Sequence, residues 1–163
     1  MKVLNSRSGY GLVSLVLHWI IVFGIIAQWA LAESDELMLH QSIGITILAL
    51  AVLRLVWRLF NPKPAWPTDM KTYEIKLARV VHFAFYALLF AIPLSGWALA
   101  SAEGEPLNFF RWFDLPRLGM GSEDTLEEVH EVLFNVLVAL AAIHVIGAIK
   151  HWIAGRARPV AHG

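Results

Sequence analysis

Four apolar runs, near residues 12–31, 43–60, 77–100 and 132–153, dominate this 163-residue chain. Each approaches or exceeds the roughly 20 residues with which a helix crosses about 30 Å of hydrocarbon. Lipid offers no partners for backbone N–H and C=O groups, so such runs must pair their own backbone as helices. The sequence therefore predicts an all-α, integral membrane four-helix bundle. It reads as one domain over residues 1–163, with helices at about 12–32, 40–60, 77–101 and 129–153. Only 16% of the residues are charged and 58% are hydrophobic, which leaves no stretch polar enough for a separate soluble domain. Nothing in this composition suggests a nucleic-acid partner; the lipid bilayer is the first partner implied.

The first run, with Lys2 and Arg7 before it and Ala30-Leu31-Ala32 at its end, has the outline of a secretory signal. It exceeds the about 7–15 apolar residues of a signal core and contains a histidine, so it is expected to stay as a helix. The chain has no cysteine, which excludes disulfides, cysteine-held iron–sulfur clusters and covalent c-type haem attachment.

Four crossings sort the charges unevenly. The termini and the second connection, with its helix ends, carry eleven lysines and arginines against Asp69 and Glu74. The opposite side carries Arg111 and Arg117 against eleven acidic residues. A net charge of zero thus conceals a strong polarity, and lysine and arginine bias puts both termini in the cytoplasm. Trp19, Trp29, Trp57, Trp97 and Trp152 sit near run ends, as interfacial anchors do. Pro62, Pro64 and Pro67 stop the second helix. The outer connection, residues 101–125, is long and amphipathic. Its Phe109, Phe110, Trp112 and Phe113 are expected on the outer membrane surface, with a lid or docking surface as the alternative.

Histidines within the apolar runs carry the chemistry. His18 lies about 9 Å from the inner surface and His144 about 14 Å, comparable depths once helix tilt is considered. His40 and His130 begin the second and fourth helices at the outer surface. His130 and His144 are 14 residues apart, close to four helical turns, so both project from nearly one face. Two depth-matched pairs result, His18 with His144 and His40 with His130. Paired imidazoles without further donors suit the two axial positions of haem iron better than tetrahedral zinc. A single intramembrane histidine more often serves as an interhelical hydrogen-bonding group or proton relay, and zinc transport remains open.

Other residues support the same sites more weakly. Gly44 and Gly147 lie about one turn from His40 and His144 and would give a planar cofactor room. Arg54 is expected either to pair with a cofactor carboxylate or anionic lipid or to snorkel as a topology anchor, and Arg58 to snorkel as such an anchor. His82 and His151 lie on the inner half, where either would hydrogen-bond a quinone carbonyl and pass protons. His162 falls in the tail.

The segments "RSGYGLVSLVLHW", "LHQSIGITILALAVLRLVWRL" followed by "NPKP", and "HFAFYALLFAIPLSGWALASAEGEP", with the late His130…His144 pair, resemble the bacterial cytochrome b561 family over nearly the whole chain. The resemblance implies four transmembrane helices holding two b haems, with ligands at His18, His40, His130 and His144. It further implies a bacterial inner-membrane protein passing electrons between ubiquinone or menaquinone and a periplasmic donor or acceptor. His151 matches the family's quinone-side histidine. Some members oxidise superoxide and reduce ubiquinone, which makes Arg111 and Arg117 outer-face candidates, although an acidic outer side suits an anion poorly. Electron-transfer cytochrome is the leading reading. Superoxide:ubiquinone oxidoreductase and a non-redox, histidine-lined metal transporter or scaffold are the alternatives.

Overall fold

A computed structural model describes residues 4, 11–32, 34–61, 65–66, 70–104, 106–119 and 121–156, without the side chains of residues 151 and 154–156. Among these residues the chain forms α1 (Leu12–Ala32), α2 (Leu37–Phe60), α3 (Thr72–Ala102) and α4 (Glu123–Arg156). A two-stranded hairpin, β1 (Asn108–Phe109) with β2 (Phe113–Asp114), lies between α3 and α4. All four helices are long and apolar enough to cross a membrane. Large apolar side chains such as Phe83 (75% exposed) and Ile146 (67% exposed) cover the outside, a surface that lipid accommodates and water does not. This is an all-α membrane bundle.

Three helices begin earlier than expected: α2 at Leu37 rather than 40, α3 at Thr72 rather than 77, and α4 at Glu123 rather than 129. Hydropathy marks the hydrocarbon zone, but these helices continue through polar interface. At the start of α3, Glu74 Oε2 accepts the Lys71 N–H at 3.0 Å. Its Oε1 meets Lys150 Nζ of α4 at 3.1 Å, tying the two helices at that end. At the start of α4, Glu123 and Asp124 complement the helix dipole. Consequently His40 and His130 sit inside their helices instead of opening them.

Packing is uneven. Ile21 of α1, Ile47 and Ala51 of α2 and Leu89 of α3 form the buried core. At Gly24 a Cβ would lie 3.1 Å from Ile47 Cγ1, so α1 and α2 approach closely there. Backbones make contact in the sequence α1–α2, α2–α3, α3–α4; no Cα of α4 comes within 8 Å of α1 or α2 among the described residues. Helix α4 thus hangs on α3 and leaves space between itself and the first two helices.

The outer connection differs from a surface-lying amphipathic segment: it folds into the hairpin and docks on α2. Buried Ser42 makes the joint. Its Oγ accepts the Phe110 N–H at 2.9 Å and lies 2.7 Å from the Met38 carbonyl and 3.2 Å from that of Asn108. Asn108 braces the turn, its Oδ1 accepting the Arg111 N–H and its Nδ2 donating to Asp114, both at 2.7 Å. Phe109 stacks against Phe110, Trp112 and Phe113, while Trp112 and Phe113 remain exposed.

Candidate cofactor sites

The space beside α4 contains a cavity of about 620 Å³ lined from all four helices, including Gln28, His40, Gly44, Gly96, His130 and Asn135. This volume falls within the range of about 300–1,000 Å³ usual for ligand sites. Leu107, at the hairpin's root, also lines it, so the hairpin lies against this end of the cavity. Glu103, Glu127 and Glu131 give it an acidic mouth. Burial, and then Glu123 and Glu127, raise the Glu103 pKa above its ordinary value.

His40 and His130 meet across this cavity. Their ring centres are 6.2 Å apart and their planes are inclined by 70°. Two imidazoles on opposite sides of one metal, each bound at about 2.0–2.1 Å, place their ring centres about 6 Å apart. His40 Nδ1 and Gln28 Oε1 are buried without a hydrogen-bond partner among the described residues. Leaving such atoms unpaired costs about 1–3 kcal/mol each, so a group from outside the chain is expected beside them. On α3, a Cβ at Gly96 would press on His130 Cε1 at 3.0 Å. The residues present therefore fit a haem with two histidine ligands.

Toward the opposite end, His18, His82 and His144 cluster with Arg54 and Arg58. The ring next to His144 is His82, at 5.7 Å between centres, with Phe85 at 5.3 Å. His18 lies within electrostatic reach of Arg54, His144 and His82 but makes no ring contact with His144 among the described residues. Arg54 Nη1 donates to the Ser14 carbonyl at 3.2 Å, and Trp57 Nε1 to Ser14 Oγ at 3.2 Å, joining α2 to α1. Arg58 stands 5.5 Å over the Tyr86 ring and, with His82 and Asn61, lines a second cavity of about 550 Å³.

Not every candidate is gathered in. Arg111 sits at the hairpin turn with φ 62°, and both Arg111 and Arg117 are exposed. The His151 side chain and all of His162 lie outside the described residues. A Cβ at Gly147 would meet nothing within 4 Å among the described residues, which leaves the room expected there. No group of three or more His, Asp or Glu side chains is arranged for a metal ion among the described residues, so the transporter alternative finds no multi-donor centre there. Sequence reasoning passed over Gln28, Ser95 and Gly96. Their one signal was a polar or Cβ-less position within an apolar run.

Fold and site together define a helical membrane protein with histidine-lined cavities between its helices. Comparison with known proteins is specific. The model of the prokaryotic cytochrome b561 family matches residues 9–161. Cytochrome b561 homolog 2 of Escherichia coli (strain K12) is 34% identical over 166 residues, covering 93% of this chain and 88% of the relative. A Yersinia pestis protein named probable superoxide oxidase CybB is 26% identical, covering 87% and 88%. Cytochrome b561 homolog 1 of Escherichia coli (strain K12) is 26% identical, covering 84% and 86%. The chain belongs to the prokaryotic cytochrome b561 family: it is a membrane-spanning, b-type haem cytochrome of electron transport.

Proposed function

We propose that this cytochrome passes electrons across a bacterial inner membrane between a periplasmic redox partner and quinone, using two haems each held by two histidines. One relationship carries the reading: His40 and His130 come from helices without backbone contact among the described residues, yet stand at the spacing of two ligands on one metal. His40 and His130 would hold the outer haem, and His18 and His144 the inner one, with Arg54 beside it. Each haem, when bound, supplies one-electron carriage between ferric and ferrous iron. Charge bias puts the basic end, and both termini, in the cytoplasm.

Protein groups would handle the quinone and its protons. In the 550 Å³ cavity, His82 Nδ1 donates to the Ala78 carbonyl, which leaves Nε2 with a lone pair to accept a quinol proton. Arg58 offers N–H donors to a quinone oxygen. His151, further along α4 toward the same end, would relay the proton to the cytoplasm. Whether ubiquinone or menaquinone enters, the recognised chemistry is the same. The test is quinol-driven reduction of the purified cytochrome. His82→Ala and Arg58→Ala should each slow it about tenfold or more with haem content unchanged. Unaltered rates in both variants would move the quinone site elsewhere, and a loss of haem in His82→Ala would make His82 a ligand.

A superoxide:ubiquinone oxidoreductase is the second reading. It draws on the name of the Yersinia pestis relative and on Arg111, held exposed in a left-handed backbone conformation, a kind of strain that gathers at functional sites. The acidic cavity mouth opposes anion approach. Superoxide-driven reduction that weakens on neutralising Arg111 or Arg117 would favour it.

A further inference from the structure

Between Pro93 and Trp97, α3 carries a Ser-Gly pair that meets His130 of α4 directly. Gly96 leaves room for the imidazole; Ser95 touches it. Ser95 Oγ lies 2.9 Å from His130 Nδ1 and 2.9 Å from the Ile92 carbonyl. A hydroxyl has one proton, and a carbonyl can only accept. Both contacts are satisfied in a single way: Ser95 donates to Ile92, and His130 donates Nδ1–H to Ser95.

From this geometry we propose that Ser95 is a positioning residue which fixes His130 in the Nδ1–H tautomer and leaves Nε2 as the metal-binding lone pair. The inference rests on the assignment of His130 as a haem ligand. A hydrogen bond from the far nitrogen of a ligating imidazole sets the ring's orientation and raises its basicity. Ser95 thereby tunes the outer haem without touching it, and it joins α3, the one helix in backbone contact with α4 among the described residues, to the electronic properties of the site.

The test compares haem-loaded wild type with Ser95→Thr, Ser95→Cys and Ser95→Ala. Haem per chain, the low-spin ferric electron paramagnetic resonance signal and the two midpoint potentials are measured. Threonine keeps the hydroxyl and should match wild type. Cysteine and alanine, lacking a good acceptor, should raise the potential and alter the ferric signal of one haem only, and loosen that haem about 10–100-fold. Simple packing predicts the reverse order, because cysteine is close to serine in size while threonine adds a methyl group. A perturbed threonine variant beside a normal cysteine variant would overturn the proposal, as would unchanged spectra and potentials in all three. Should the alanine variant fail to fold, the threonine–cysteine comparison still decides. If His130→Ala retained both haems, the ligand assignment itself would fall and take the proposal with it. That failure is distinct from unchanged serine variants in a protein whose haem does depend on His130.

Discussion

The imidazoles of His40 and His130 stand 6.2 Å apart, although their helices α2 and α4 make no backbone contact among the described residues. Helix α3 explains both facts. It packs on α2 through one face and on α4 through another, so it holds the two helices apart at a fixed spacing. The main cluster of buried apolar side chains among the described residues correspondingly draws on three helices, through Ile21, Ile47, Ala51 and Leu89, while Leu137 is buried on α4 outside it. A chain that merely maximised burial would close that gap. Keeping it open suits a flat group bound between the helices.

Gly96 tests how tightly the site is shaped. Gly96→Ala would put a Cβ 3.0 Å from His130 Cε1, forcing the ring to move. Overpacking of this kind costs about 1–3 kcal/mol and should selectively loosen the haem proposed between His40 and His130. Gly119→Ala is the internal control, since a Cβ there meets nothing within 4 Å among the described residues. It should be neutral, or more stable by about 0.4–1 kcal/mol. Thermal melting followed by haem absorbance separates the two.

Ser42 holds the hairpin on α2. In Ser42→Ala the Phe110 N–H loses its acceptor, at a cost of about 1–3 kcal/mol if it stays buried. The expected relief is undocking of residues 108–114 while the helices persist. Faster amide exchange and protease cleavage confined to the hairpin would register it, with helical circular dichroism unchanged.

Glu103 gives the outer mouth a defined acid response. Its folded-state pKa is raised, first by burial and then by Glu123 and Glu127. The folded protein therefore binds this proton more tightly than the unfolded chain does. The corresponding stability is present below the ordinary glutamate value of 4.5 and is lost as pH rises through the raised folded value. Glu103→Gln should remove that component, making the melting temperature less dependent on pH just above 4.5 and slightly higher at neutral pH. Melts of both proteins across that window provide the check.

Much of the architecture was legible because lipid imposes a simple rule, that a long apolar run is a helix. Interface was harder to read, since Thr72–Lys76 and Glu123–Glu128 carry polar side chains yet continue α3 and α4. The early start of α3 has a consequence for His82. Ten residues from Thr72 is about 15 Å of rise, twice the depth implied by a start at 77, which brings His82 beside His144. The hairpin left little trace, because Phe110 and Arg111 adopt left-handed backbone angles without the glycine or asparagine that usually announces such a turn. Ser95 was hidden for another reason. Serine in a membrane helix ordinarily bonds back to its own backbone, as it does here to Ile92, and its second contact comes from 35 residues away.

The most direct test is a reduced-minus-oxidised optical spectrum of detergent-purified protein, with haem quantified per chain, for wild type, His40→Ala and His144→Ala. Two b haems per wild-type chain, with each substitution removing a different one, are predicted. A colourless wild-type protein, or two variants that both retain two haems, would contradict the account.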